Sequence, residues 1–133
     1  MRNKVVLYIS YNSIKEPLVL GQVVSYISEI RKYGFEFILL TFEKEKFNLQ
    51  EEYKIRNKLL ENRIEWIYLD YHGKPKIIGT LIDISKGFMI GIKLVKENQV
   101  SMIHARSMIS AIIAYAIKKK KIFPIYMISE DFG

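Results

Sequence analysis

A chain of 133 residues fits one domain and is long enough to bury a real core. Its apolar half (50%) excludes disorder, and the absence of cysteine excludes disulfides and thiolate metal sites and fits a cytoplasmic protein. The net charge of +7 is uneven: from Tyr71 to Lys121 stand Lys74, Lys76, Lys86, Lys93, Lys96, Arg106 and the run Lys118 to Lys121, against only Asp83 and Glu97. Such a balance favours anionic partners, or simply lysines that complement a helix dipole.

The first element is a strand over residues 4–10, a near-continuous apolar run of the kind buried on both faces of a sheet. Arg2 and Lys4 precede it, but Ser10, Tyr11 and Asn12 break it too early for a signal peptide. Residues 11–19 read as a loop, marked by Asn12, Ser13 and Pro17. A helix over 20–33 carries the apolar stripe Val23, Val24, Ile27 and Ile30 and stops at Gly34. Gly21 and Gln22 then fall at a helix N-terminus, where free N–H groups attract phosphate or carboxylate, although a lone glycine there is more often a cap.

A second strand covers 35–42. A more polar helix covers 48–62, with Leu49, Tyr53, Arg56, Leu59 and Leu60 at helical spacing, and a third strand covers 64–69. His72 sits in the loop that follows. With two histidines and no cysteine in the chain, a metal site is not expected, and an exposed loop histidine is the default.

A long helix covers 76–97, where Gly87 and Gly91 permit close approach to the sheet. Asp83, Lys86 and Lys93 argue against its spanning a membrane, and the apolar stretch 108–117 is too short to span. A fourth strand covers 100–103, a fourth helix 107–121 and a fifth strand 125–129. The stretch Met102-Ile103-His104-Ala105-Arg106-Ser107 is the strand-to-helix switch, with Ser107 as N-cap. Glu130 and Asp131 follow the fifth strand. No helix follows before Gly133, which reads as a piece of something larger.

Alternating strands and helices predict an α/β, Rossmann-like parallel sheet of about five strands with helices on both faces. Neither G-x-G-x-x-G nor a P-loop is present. The closing Asp131-Phe132-Gly133 lacks every other part of the kinase set. No nucleic-acid recognition module accompanies the lysines, so nucleic acid is not an expected partner. A receiver or flavodoxin-like domain is disfavoured by the lack of a clustered acidic pocket and of a flavin phosphate loop.

Several segments resemble one family. Val6-Leu7-Tyr8-Ile9-Ser10-Tyr11-Asn12, Glu16-Pro17-Leu18, Gln22-Val23, Gly34-Phe35-Glu36-Phe37, Thr41-Phe42-Glu43-Lys44 and His104-Ala105-Arg106-Ser107 are similar, in order and spacing, to the N-terminal domain of retaining, group 1 glycosyltransferases of the GT-B fold. The family's loop glycine falls on Val19 here, with Gly21 two residues later. The resemblance implies that residues 1–133 are the acceptor-side half of a two-domain enzyme. Such an enzyme moves a sugar from a nucleotide-sugar donor to a polysaccharide or a lipid-linked acceptor, and this half is inactive without the donor domain.

It further implies Gly21, Gln22, His104, Arg106 and Ser107 as substrate-binding residues, with Glu130 or Asp131 meeting a sugar hydroxyl as catalytic candidates. No cofactor and no obligatory metal are implied. The site is cytoplasmic, and basic amphipathic helices suggest a peripheral position on the inner membrane face. The competing expectation is a stand-alone Rossmann-like binding or scaffold subunit that pairs with a separate donor-binding chain.

Overall fold

The computed structural model describes residues 4–73, 75–120 and 125–130, without the side chains of 17, 18, 20, 24, 28 and 130. Strand and helix alternate as β1 (Lys4–Ser10), α1 (Pro17–Ile30), β2 (Phe35–Glu43), α2 (Leu49–Glu61), β3 (Ile64–Asp70), α3 (Lys76–Asn98), β4 (Met102–Arg106), α4 (Met108–Lys119) and β5 (Tyr126–Glu130). A short 3-10 turn, Arg31–Tyr33, closes α1. The five strands form one parallel sheet in the order β3-β2-β1-β4-β5.

That order follows from two runs of crossovers in opposite directions. The chain builds β1, β2 and β3 outward, and α3 then carries it back across β1 to start β4. β1 is therefore the strand at which the direction of winding reverses, and the crevice at its carboxyl end is where such sheets take ligands.

Each central strand is apolar on both faces because helices cover both. Val6 and Tyr8 of β1 join Val19, Val23 and Ile27 of α1 and Leu59 of α2 in one buried cluster. Leu7 and Ile9 join Leu94 and Val95 of α3 and Ile113, Ala114 and Ile117 of α4 in the other. Alternate residues of one strand thus feed two cores. On α2 the buried face is Leu59 with Ile55 beside it. Leu49, Tyr53 and Leu60, which helical spacing groups with them, are exposed.

Gly87 and Gly91 do bring α3 close to a neighbour, but chiefly to α4. A Cβ on Gly87 would lie 2.8 Å from Ile113 Cδ1 and 3.1 Å from Phe42 Cζ, and one on Gly91 would lie 2.4 Å from Ile117 Cδ1.

Several boundaries differ from expectation, most by one or two residues. α1 starts at Pro17 rather than residue 20, because proline suits the first helical position, where its missing N–H is no loss. β4 runs from Met102 to Arg106 rather than over 100–103. Val100 is buried but lies before the strand, with its N–H on Val95 O at 3.2 Å closing α3. β5 ends on Glu130, one residue later than read.

The edge strand β3 is fixed by its tryptophan. Trp66 is buried, donates from Nε1 to Thr41 Oγ1 at 2.9 Å, and lies 5.0 Å from the Arg56 guanidinium. Arg56 also donates to the Trp66 carbonyl. Thr41→Val keeps the shape but leaves the indole N–H unpaired, at a cost of about 1–3 kcal/mol. Urea denaturation followed by the fluorescence of Trp66, the chain's one tryptophan, should show a correspondingly lower midpoint. An unchanged midpoint would mean that this hydrogen bond adds nothing to stability.

Candidate functional site at the carboxyl edge

Beyond the carboxyl ends of β1, β2 and β3, loops are held by buried acids. Glu43, the last residue of β2, is 3% exposed. Its Oε1 accepts from Ser13 Oγ at 2.5 Å and its Oε2 from the Ile14 N–H at 2.9 Å. Its carbonyl accepts from the Tyr71 N–H at 2.9 Å. One residue therefore fixes both the β1–α1 loop and the β3–α3 loop. Ser13, Lys15, Glu16, Lys44 and Glu45 line a shallow depression beside it.

On the α1 face, Tyr8 and Ser10 of β1 lie beside His104 and Arg106 of β4 in parallel register. His104 stacks on Tyr8, with centroids 4.5 Å apart, and its Nδ1 is 3.0 Å from Tyr26 Oη. It is 2% exposed and lies inside a strand, not in a loop after one. It seats α1 on the sheet through Tyr26. Arg106 ends β4 and donates to Gln22 Oε1, tying β4 to α1 across the reversal point; it is 6% exposed.

Ser107 caps α4, accepting on Oγ from the Ser110 N–H at 3.5 Å. Its backbone sits at φ 91, ψ 163. Only glycine populates that region readily, and for other residues it costs about 1–3 kcal/mol.

The structure thus brings Gln22, Arg106 and Ser107 together at one end of the crevice. Gly21 is exposed, and a Cβ there would meet nothing within 4 Å. Because α1 starts at Pro17, Gly21 and Gln22 lie inside the helix and its free N–H groups belong to earlier residues. The backbone of Glu130 stands at the end of β5, opposite Arg106 in register. Its side chain and all of Asp131 lie outside the described residues. No group of three or more acids and histidines suited to a metal ion occurs among the described residues.

On the α3 face sits a constellation that sequence reasoning missed. Asp83 of α3 is fully buried. Its Oδ2 accepts from Tyr11 Oη at 2.7 Å, and both carboxylate oxygens lie 3.1 Å from the His72 N–H. Its Oδ1 also meets His72 Nδ1 at 2.8 Å. The His72 side chain is 34% exposed, so this histidine is not free in a loop but held by a buried acid.

Gly79 makes the arrangement possible, since a Cβ there would lie 1.8 Å from the His72 carbonyl oxygen. The signal was present: Asp83 is four residues from Gly79 and from Gly87, on one stripe of the helix.

Similarity to known proteins is confined to structure. No protein-family model and no curated protein matches the chain. Among solved structures, a glycosyltransferase from Rickettsia africae superposes with a TM-score of 0.63 and 14% identity over 97% of this chain and 30% of its own. UGT2 of Phytolacca americana, complexed with UDP-2fluoro-glucose and pterostilbene, superposes with a TM-score of 0.67 and 13% identity over 97% and 31%. A tyrosyl-tRNA synthetase from Archaeoglobus fulgidus also matches, with a TM-score of 0.54 and 12% identity over 98% and 55%.

The chain therefore has a glycosyltransferase-like fold and spans about 30% of the length of the glycosyltransferases it matches. At these identities the likeness is one of fold, which enzymes of other chemistries share.

Burial, and then the hydrogen bond to the Asp83 carboxylate and its charge, push the Tyr11 phenol above its ordinary value. A group whose pKa is raised on folding stabilises the fold fully below its unfolded pKa, about 10 for tyrosine, and loses that contribution as pH rises above it. Tyr11→Phe should therefore flatten the fall of stability above about pH 10, as read by thermal melts across that range. Parallel curves for the two proteins would remove Tyr11 as the cause.

Proposed function

We propose that this chain is the acceptor-side domain of a nucleotide-sugar-dependent glycosyltransferase, with the donor-binding wall of its cleft supplied by a further domain or a separate subunit. The observation that carries the reading is the crevice at the reversal point. There Arg106 reaches from β4 to Gln22 of α1, beside the strained cap at Ser107. A parallel sheet takes its ligand at this place. Strain held at a strand end is also commoner at functional positions than elsewhere. The glycosyltransferases among the structural neighbours, one of them complexed with a UDP-sugar analogue, support the choice of substrate class.

Transfer of a sugar to a hydroxyl needs the acceptor held in line and the leaving diphosphate stabilised. Arg106 supplies a fixed positive charge at the crevice, and Gln22 and Ser107 set its position. For a sugar hydroxyl the candidates are Glu130, the last residue of β5, and Asp131, the next residue in sequence.

In the full-length gene product, combined with the donor-binding subunit where that is a separate chain, a nucleotide sugar and a glycan or glycolipid acceptor should give turnover, while the 133 residues alone should give none. Loss of one charge-assisted hydrogen bond costs about 1.5–3 kcal/mol, so Arg106→Ala should lower kcat/KM by about 10- to 100-fold. Turnover by the isolated 133 residues would overturn the two-part reading.

The outer faces of α3 and α4 support a membrane-borne acceptor. Among the described residues no helix is long and apolar enough to cross a membrane. Yet α3 exposes Ile78, Leu81 and Met89, and α4 exposes Ile112 and Tyr115. Lys86, Lys93, Lys118 and Lys119 are exposed on the same helices, where the acids are Asp83, which is buried, and Glu97, which is exposed. Apolar side chains flanked by lysines suit the surface of an anionic bilayer. Sedimentation with vesicles containing anionic lipid should exceed that with zwitterionic vesicles, and Lys86→Glu with Lys93→Glu should remove the difference. Equal sedimentation on both lipids would remove the membrane from the reading.

A further inference from the structure

The helix α2 is more polar than α1, α3 or α4, yet it turns three large apolar side chains outward. Leu49, Tyr53 and Leu60 are 85%, 68% and 53% exposed. Its attachment to the sheet uses another side of the helix, through Leu59 with Ile55 partly buried beside it. Scattered apolar side chains on a surface are ordinary, whereas a row of them along one helix face asks for a partner. Tyr53 and Leu60 are separated by nearly two whole turns, so they stand in one line about 10 Å apart along the axis. Leu49 lies one turn before Tyr53.

Lys54 and Glu61 repeat the spacing of Tyr53 and Leu60, one residue further on. Both are exposed, and neither forms an ion pair with another described residue. Glu51 and Glu52 of the same helix, by contrast, are engaged by Lys15 and Arg56. The midpoint of Tyr53 and Leu60 and the midpoint of Lys54 and Glu61 both fall at Asn57. A two-fold axis passing there sets α2 antiparallel to α2 of a second copy. Tyr53 then meets Leu60 of the second copy and Lys54 meets its Glu61, each contact being made twice. Parallel pairing would instead oppose lysine to lysine and acid to acid.

The rest of this end of the molecule agrees with that arrangement. A shallow hollow of about 530 Å³ runs along the first half of α2, lined by Asn48, Gln50, Glu51, Tyr53 and Lys54, and offers Leu60 of the second copy a seat beside Tyr53. Asn57 meets its own copy at the axis, where one amide can donate to and accept from another. Growth of the sheet at its neighbouring edge is opposed at Trp66, whose carbonyl already accepts from Arg56.

We propose that two copies of this chain associate through α2 as an antiparallel, two-fold pair. The pairing does not depend on the glycosyltransferase reading. It lies at the β3 end of the sheet, away from Arg106 on β4 and across the sheet from the outer faces of α3 and α4, so it leaves the crevice and those faces uncovered. With 13 residues, α2 is about 20 Å long. One helix on one helix is a contact at the small end of protein interfaces, so the dimer should form and dissociate with concentration.

Sedimentation equilibrium of the full-length gene product should give the mass of two copies, falling to that of one on dilution. Leu60→Glu should leave a single copy at every concentration, with an unchanged circular dichroism spectrum. Lys54→Glu or Glu61→Lys alone turns two attractive contacts into two repulsive ones and should raise the dissociation constant by about 10-fold. Both reversals in one chain should return it close to that of the unaltered protein. These two residues are exposed and unburdened by packing, so their substitution tests the pairing even where Leu60→Glu fails to fold.

The mass of a single copy at every concentration overturns the proposal, as it would if another part of the full-length product covered α2. So does a dimer that survives Leu60→Glu, or one that the double reversal weakens as much as either reversal alone.

Discussion

Two carboxylates taken out of water organise the carboxyl edge. Glu43 and Asp83 are 3% and 0% exposed. A buried acid is tolerated only when its oxygens are hydrogen-bonded or paired. Glu43 meets that need with Ser13 and the Ile14 amide, and Asp83 with Tyr11 and two groups of His72. The two acids lie on opposite faces of the sheet, yet they hold the same two loops. Residues 11–14 are fixed by both, and so are residues 71–72, where the Tyr71 amide meets the Glu43 carbonyl. Removing the Glu43 carboxylate would release residues 13 and 14 and leave the Tyr71 amide on the main-chain carbonyl of residue 43, whereas removing that of Asp83 would release Tyr11 and His72.

The alternation of β1 then decides which chemistry stands on which face. Tyr8 and Ser10 lie beside His104 and Arg106, so the α1 face receives the Arg106–Gln22 contact. Tyr11, one residue past the strand, packs with the α3-side core and reaches Asp83. The reversal of winding at β1 leaves the crevice open between these faces. The two histidines differ in place: His72 lies beyond the end of β3, and His104 lies within β4.

Much of the fold was legible because a parallel sheet covered on both faces leaves uninterrupted apolar runs, and helices between them show their stripes. What was not legible depended on partners distant in sequence. His104 and Arg106 are polar and read as a loop, but Tyr26 and Gln22 of α1 receive them, so the strand continues through both. Val100 is apolar and read as strand, but its amide closes α3. Pro17 read as a loop marker, although it is well suited to open a helix. On α2, Leu49 and Tyr53 share the spacing of Leu59 without the burial. The quoted stretch Thr41-Phe42-Glu43-Lys44 contained the principal anchor of the edge, but only the contacts of Glu43 with Ser13 and Ile14 reveal that role.

Asp83 was the costliest omission, and the geometry of α3 explains its place. Gly79, Asp83, Gly87 and Gly91 recur every four residues and are all buried. Four residues turn a helix by about 40° more than a full turn, so the stripe winds slowly around α3. At its far end Gly87 and Gly91 admit Ile113 and Ile117, which sets how closely α3 packs on α4. At its near end Gly79 admits the His72 carbonyl oxygen. Asp83 lies between, so the packing of two helices in the core determines where the carboxylate meets the loop. A side chain at Gly87 or Gly91, far from the edge, would move α3 and with it the only acid that orients His72 among the described contacts. Core packing and edge chemistry are therefore coupled through one face of one helix.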